Sequence, residues 1–74
     1  MNQQEFIAEF ERIVMADEGT VSTDSALKDL KWDSMAALEY QALADEQFGM
    51  QLEPTAISIA VTVGDLCKLV KLES

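Results

Sequence analysis

Histidine is absent from this 74-residue chain, cysteine and proline occur once each, and only 5 Lys and Arg stand against 14 Asp and Glu. Each shortage removes a class of function. Without histidine, and with Cys67 as the one thiol, neither a zinc site nor a nucleophile–histidine pair has its ligands or its base. One cysteine cannot form an intramolecular disulfide, and with nothing pointing to an oxidising compartment a cytoplasmic location is expected. A net charge of −9 argues against nucleic acid, whose phosphates reward Lys and Arg rather than carboxylates. No apolar run approaches the roughly 20 residues of a membrane span, and the N-terminal MNQQEFIAEF lacks the basic region of a signal peptide. No membrane partner is therefore expected. A chain of this length buries only about 60% of its unfolded surface, which suits one domain over 1–74, a monomer, and no large enclosed active site. A basic protein surface is the natural complement to its charge.

What is present reads as helices. Asn2 followed by Glu5 has the form of a capping box, and Phe6, Phe10, Ile13 and Val14 recur at helical spacing while Glu5, Glu9, Glu11 and Arg12 stay polar. That predicts a first helix over about 3–16. Gly19, Thr20, Ser22, Thr23, Asp24 and Ser25 then supply turn formers, with Val21, Leu27 and Leu30 as apolar anchors. Residues 17–33 are expected to form a long loop pinned to the core, with one helical turn near 24–28. Asp33 is a good N-cap for a second helix running to Phe48, and Gly49 stands where a left-handed C-terminal residue is wanted. Pro54 suits the first position of a short third helix through about 60. The β-branched run 57–61 also has strand character, but no partner strand is visible. Thr62 with Asp65 forms a second capping box, opening a last helix to about 72 with the apolar stripe Val63, Leu66, Cys67, Leu69 and Val70. Cys67 is expected to be a small buried core residue. The fold class is all-α: a three- to four-helix bundle with a long loop between the first and second helices.

The second helix has two apolar faces. Ala36, Ala37, Tyr40, Leu43, Ala44 and Phe48 fall on one broad side, which a bundle must bury. The alanines leave volume that neighbouring side chains must fill. Met35, Leu38 and Ala42 form a narrower strip on the opposite side, interleaved with Glu39, Asp45 and Glu46. Between Lys31 and Lys68 there is no basic residue. Such a strip has no use inside an isolated bundle, and it has the composition of a docking ridge: apolar anchors set among carboxylates that steer a basic partner.

At the start of that helix, Leu30-Lys31-Trp32-Asp33-Ser34-Met35 resembles the Leu-Gly-x-Asp-Ser-Leu pattern of the acyl, aryl and peptidyl carrier proteins. Asp-Ser followed by an apolar residue is a weak motif alone. Glu39 five residues after the serine, Gln47-Phe48-Gly49-Met50 at the helix end and Thr62-Val63-Gly64-Asp65-Leu66 opening the last helix extend the similarity over about 5–71. The resemblance implies an acyl-carrier-like bundle in which Ser34 receives 4′-phosphopantetheine from coenzyme A, with Asp33 as motif residue and cap. Met35, Leu38, Glu39, Ala42, Asp45 and Glu46 would then meet partners. Those partners would be a phosphopantetheinyl transferase and acyl or aminoacyl ligase, acyltransferase or synthase enzymes with basic docking surfaces. Lys31 in place of glycine, the bulky Trp32 and the uncharged Ala36-Ala37 depart from many fatty-acid carriers and point to a specialised member, and the start at Met1 without flanking linkers leads to the expectation of a freestanding protein.

Two rival readings belong to other classes. A carrier-like adaptor would keep the bundle and the acidic face and act by contact alone. A small acidic enzyme would need convergent ionisable groups in a pocket, whereas these carboxylates are spread along helix surfaces.

Overall fold

The computed structural model describes residues 1–70 and 72, and among them are four α-helices and no strand. The fold is an all-α bundle. α1 (Gln3–Ile13) starts at its capping box: Asn2 Oδ1 accepts from the Glu5 amide at 2.8 Å, and Glu5 Oε1 accepts from the Asn2 amide at 3.0 Å. It stops earlier than the expected 16. Met15 takes a left-handed φ of 56°, and the Ala16 and Met15 amides turn back to the carbonyls of Glu11 at 2.8 Å and Arg12 at 3.3 Å. This closes the last turn in a Schellman arrangement. A side-chain-bearing residue there costs about 1 kcal/mol, which is why sequence preference for glycine gave no sign of the break.

The long loop carries a 3₁₀ turn, Leu27–Asp29, slightly later than the turn expected near 24–28. Three features tie it down. Glu11, which helical periodicity places among the polar residues, is only 4% exposed. Its Oε2 accepts from the amides of Gly19 at 2.9 Å and Val21 at 3.0 Å. On the other side, the Leu27 amide donates to the Val61 carbonyl at 2.9 Å and the Val63 amide donates to the Ser25 carbonyl at 3.0 Å. Finally, the Gly64 amide donates to the Thr23 carbonyl at 2.9 Å. A side chain at Gly64 would place its Cβ 3.0 Å from that same carbonyl oxygen, so this close approach requires glycine.

α2 (Ser34–Phe48) and α3 (Pro54–Ser58) follow, then α4 (Val63–Leu69). α3 ends at 58 rather than about 60: its C-cap Ile59 still has helical angles, φ −88° and ψ −5°, and the backbone is extended by Thr62. Thr62 pairs with Ala26 in an isolated antiparallel bridge, and the Val61 and Thr62 amides donate to Asp65 Oδ2 at 2.9 and 3.1 Å. No residue of the run 57–61 joins a strand; the one bridge falls at Thr62, just beyond it. These amide bonds hold the Asp65 carboxyl below its ordinary pKa, the Val61 bond contributing most. α4 ends at Leu69, short of the expected 72, because Val70 is extended and turns its side chain into the core. The remainder of that expected turn includes Lys71, which lies outside the described residues.

The core gathers Phe6 and Phe10 from α1 and Val14 at its C-cap, Tyr40 and Ala44 from α2, Ile57 from α3, and Val63 and Leu66 from α4. Phe6 stacks on Phe10 with ring centres 6.3 Å apart and meets Tyr40 edge-on at 6.0 Å. The buried Tyr40 hydroxyl donates to the Leu66 carbonyl at 2.6 Å. Cys67 differs from expectation, being half-buried rather than enclosed. Burial still pushes its thiol up from the ordinary value.

Glu11→Ala is expected to lower folding stability by about 2–3 kcal/mol, since two loop amides lose a charged acceptor. Glu11→Gln, which keeps an acceptor oxygen, should lose about 1 kcal/mol. Urea unfolding of the three proteins measures this; equal midpoints for wild type and Glu11→Ala would show that the loop is held by other means.

Candidate functional site

Ser34 is the first residue of α2 and is exposed. What places it there begins upstream, where Leu30 closes the 3₁₀ turn through its amide bond to the Leu27 carbonyl at 3.0 Å. Trp32 then packs its ring 5.5 Å from Phe10 and edge-on at 6.0 Å from Tyr40. A large aromatic side chain is a strong anchor. The chain therefore reaches Asp33 from a fixed point, and Asp33 is extended as an N-cap must be, with φ −131° and ψ −171°. Its Oδ1 accepts from the Ala36 amide at 2.9 Å, and its carbonyl accepts from the Ala37 amide at 2.9 Å. Ala36 and Tyr40, one and two turns on, are buried. Ser34 is thus exposed between two anchored residues.

The electrostatics at this helix end favour an anion. No acidic residue lies within the first turn of α2, and among the described residues nothing accepts from the Ser34 and Met35 amides. These free N–H groups carry the positive end of the helix dipole. No hydrogen bond engages the Ser34 hydroxyl among the described residues, and Asp33 Oδ1 is occupied as the cap. No described residue is thus set as a base on Ser34. Nor do the described residues hold a cluster of three or more His, Cys, Asp or Glu suited to a metal ion.

Beside Ser34 runs an open groove of about 230 Å³ between α2 and α3, walled by Trp32, Ala37, Pro54 and Ile57 and bordered by Gln41. The Gln41 side-chain amide donates to the Leu52 carbonyl at 3.3 Å. Of the alanines expected to leave free volume, Ala36 and Ala44 are packed against neighbours, and only Ala37 faces this groove. On the expected core side, Ala37, Leu43 and Phe48 are half-buried and the rest buried.

Met35, Leu38, Glu39, Ala42, Asp45 and Glu46 are all exposed, so the second apolar strip of α2 faces solvent with its carboxylates around it. Trp32 and Glu11 were the residues whose roles sequence reasoning missed. The signal for Trp32 was its size beside the motif; Glu11 gave none.

The model of one protein family, the phosphopantetheine attachment site, matches residues 4–70. The chain belongs to this family. No curated protein and no solved structure matches the chain. Members of the phosphopantetheine carrier family bear 4′-phosphopantetheine covalently, are modified by a phosphopantetheinyl transferase and interact with partner enzymes. The residues of this carrier fit the group: an exposed, unengaged hydroxyl, free amides for a phosphate, and an apolar groove alongside. No described helix is long and apolar enough to cross a membrane.

Proposed function

We propose that this protein is an acyl carrier whose Ser34 bears the 4′-phosphopantetheine arm. The observation that carries the reading is the exposed Ser34 at the start of a helix capped by Asp33, with uncommitted amides and no acidic residue inside the first turn beyond that cap. When bound, the group supplies a thiol that holds an acyl or aminoacyl cargo as a thioester. Ser34 Oγ forms the phosphoester bond, its proton passes to the transferase, and the nucleotide half of coenzyme A leaves. The Ser34 and Met35 amides favour the phosphate that results. Asp33 contributes by fixing the helix end, its Oδ1 accepting from the Ala36 amide. The groove along Ala37, Gln41 and Ile57 offers the arm an apolar wall and an amide. Chemistry on the cargo belongs to the partners, and the carrier is not itself a catalyst.

The exposed strip of Met35, Leu38 and Ala42, with Glu39, Asp45 and Glu46, is the docking ridge in this reading. Its sign selects basic surfaces on acyl or aminoacyl ligases, acyltransferases or synthases. The absence of glycine at Lys31 and the presence of Trp32 favour a dedicated role in a specialised lipid, polyketide, nonribosomal peptide or polysaccharide pathway, carried out by a cytoplasmic monomer.

Incubated with coenzyme A and a broad-specificity transferase, wild type should gain one phosphopantetheine mass and Ser34→Ala none. Intact-protein mass spectrometry decides this, and modification of the Ala variant at another serine would remove Ser34 from the account. In the same assay Leu38→Asp and Glu39→Lys should each raise KM by about three- to tenfold with unchanged helical circular dichroism. The Glu39→Lys effect should shrink as salt rises; unaltered kinetics in both variants would refute the ridge.

A further inference from the structure

Trp32 separates two grooves, and the second lies on the far side from α3. It is open, about 430 Å³, and formed between the end of α1 and the start of α2. Its most exposed apolar walls are Met15 and Met35, 73% and 68% exposed. Arg12 and Lys31 line it, with Asp33 and Glu39 as acidic counterparts. The chain has only 5 basic residues against 14 acidic, so a groove beside Ser34 in which two cations balance two carboxylates departs from the one-sign surface of the rest of α2. Arg12 is held by an ion pair to Glu9 at 3.2 Å yet remains largely exposed.

Met15 is the second, independent observation. It occupies a left-handed backbone position, φ 56°, where glycine or asparagine is easier. A long apolar side chain at a strained site and in solvent does nothing for the core. Methionine is, however, an adaptable contact at binding surfaces.

We propose that this groove receives an apolar side chain of the transferase that modifies Ser34, with a carboxylate of the same transferase set against Arg12 and Lys31. The assignment rests on Ser34 being the attachment residue. Lys31, Trp32 and Met35 line the groove and flank Ser34 in the chain, so a catalytic centre reaching the Ser34 hydroxyl lies over the groove's rim. The transferase face is then of mixed sign: basic opposite Glu39 and the acidic ridge, acidic opposite Arg12 and Lys31.

The sign of one effect separates this from docking through the acidic ridge alone. If only carboxylates were recognised, neutralising both cations would make the surface more attractive and lower KM. With a transferase that modifies wild type, Arg12→Gln/Lys31→Gln should instead raise KM about fivefold. Met15→Gly and Met15→Asn should each raise KM about tenfold, the scale of one apolar side chain lost from an interface, with kcat unchanged. Their melting temperatures should hold or rise, because either residue suits the left-handed position. An unchanged KM for the Met15 variants, or an unchanged or lowered KM for the double variant, overturns the groove and leaves Ser34 as the attachment residue. Failure of every transferase to modify wild type removes the Ser34 reading itself, and the groove with it.

Discussion

The placement of α2 depends on one buried hydrogen bond, from the Tyr40 hydroxyl to the Leu66 carbonyl at 2.6 Å. Tyr40 has no exposed surface, so its hydroxyl must find a partner inside the protein. Burial, and to a lesser degree the charge of Cys67, push its pKa well above the ordinary tyrosine value, which keeps it a neutral donor. The bond joins α2 to α4, while the Tyr40 ring meets Phe6 of α1 and Trp32 of the loop. One side chain therefore sets α2 against the other elements of the bundle, two turns from the helix end that presents Ser34.

A small core cannot hold a long loop by burial alone, and here polar contacts add to the buried anchors Val21 and Leu27. Glu11 takes two of its amides from one side, and the carbonyls of Ser25 and Thr23 accept the first amides of α4 from the other. Those bonds serve both elements, since α4 needs acceptors for its first turn and the loop needs donors for its carbonyls. The result is a fixed approach through Trp32 to a helix start whose remaining amides face outward. An anchored Asp33 beside an exposed Ser34 suits the proposed role, in which one residue is presented to partner enzymes.

Much of this frame was legible in the sequence because it rests on local chemistry. Both capping boxes, the Asp33 cap and the left-handed Gly49 lie where short-range pattern places them. The exposure of Met35, Leu38 and Glu39 followed from helical periodicity alone. The parts that escaped depend on distant partners. Glu11 has a charged residue's usual surface signature, and only the fold brings Gly19 and Val21 against it. α1 ends at a methionine where glycine would have announced the turn. The β-branched run after Pro54 leads only to a single bridge just beyond it, Thr62 with Ala26. At the site, Ser34 and Asp33 were evident from the motif, but the two grooves that flank Trp32 were not, since their walls come from separated segments.

The central claim is that a rigid frame presents Ser34 and accepts its arm without rearranging. Backbone amide chemical shifts of the isotope-labelled protein, recorded before and after phosphopantetheine transfer, test that most directly. The account predicts changes confined to residues 32–41 and 55–58, which border the groove beside Ser34, with the resonances of Phe6, Phe10, Glu11 and Leu66 unmoved. Shifts spread through those four residues would mean that the core opens to take the arm, and would contradict it.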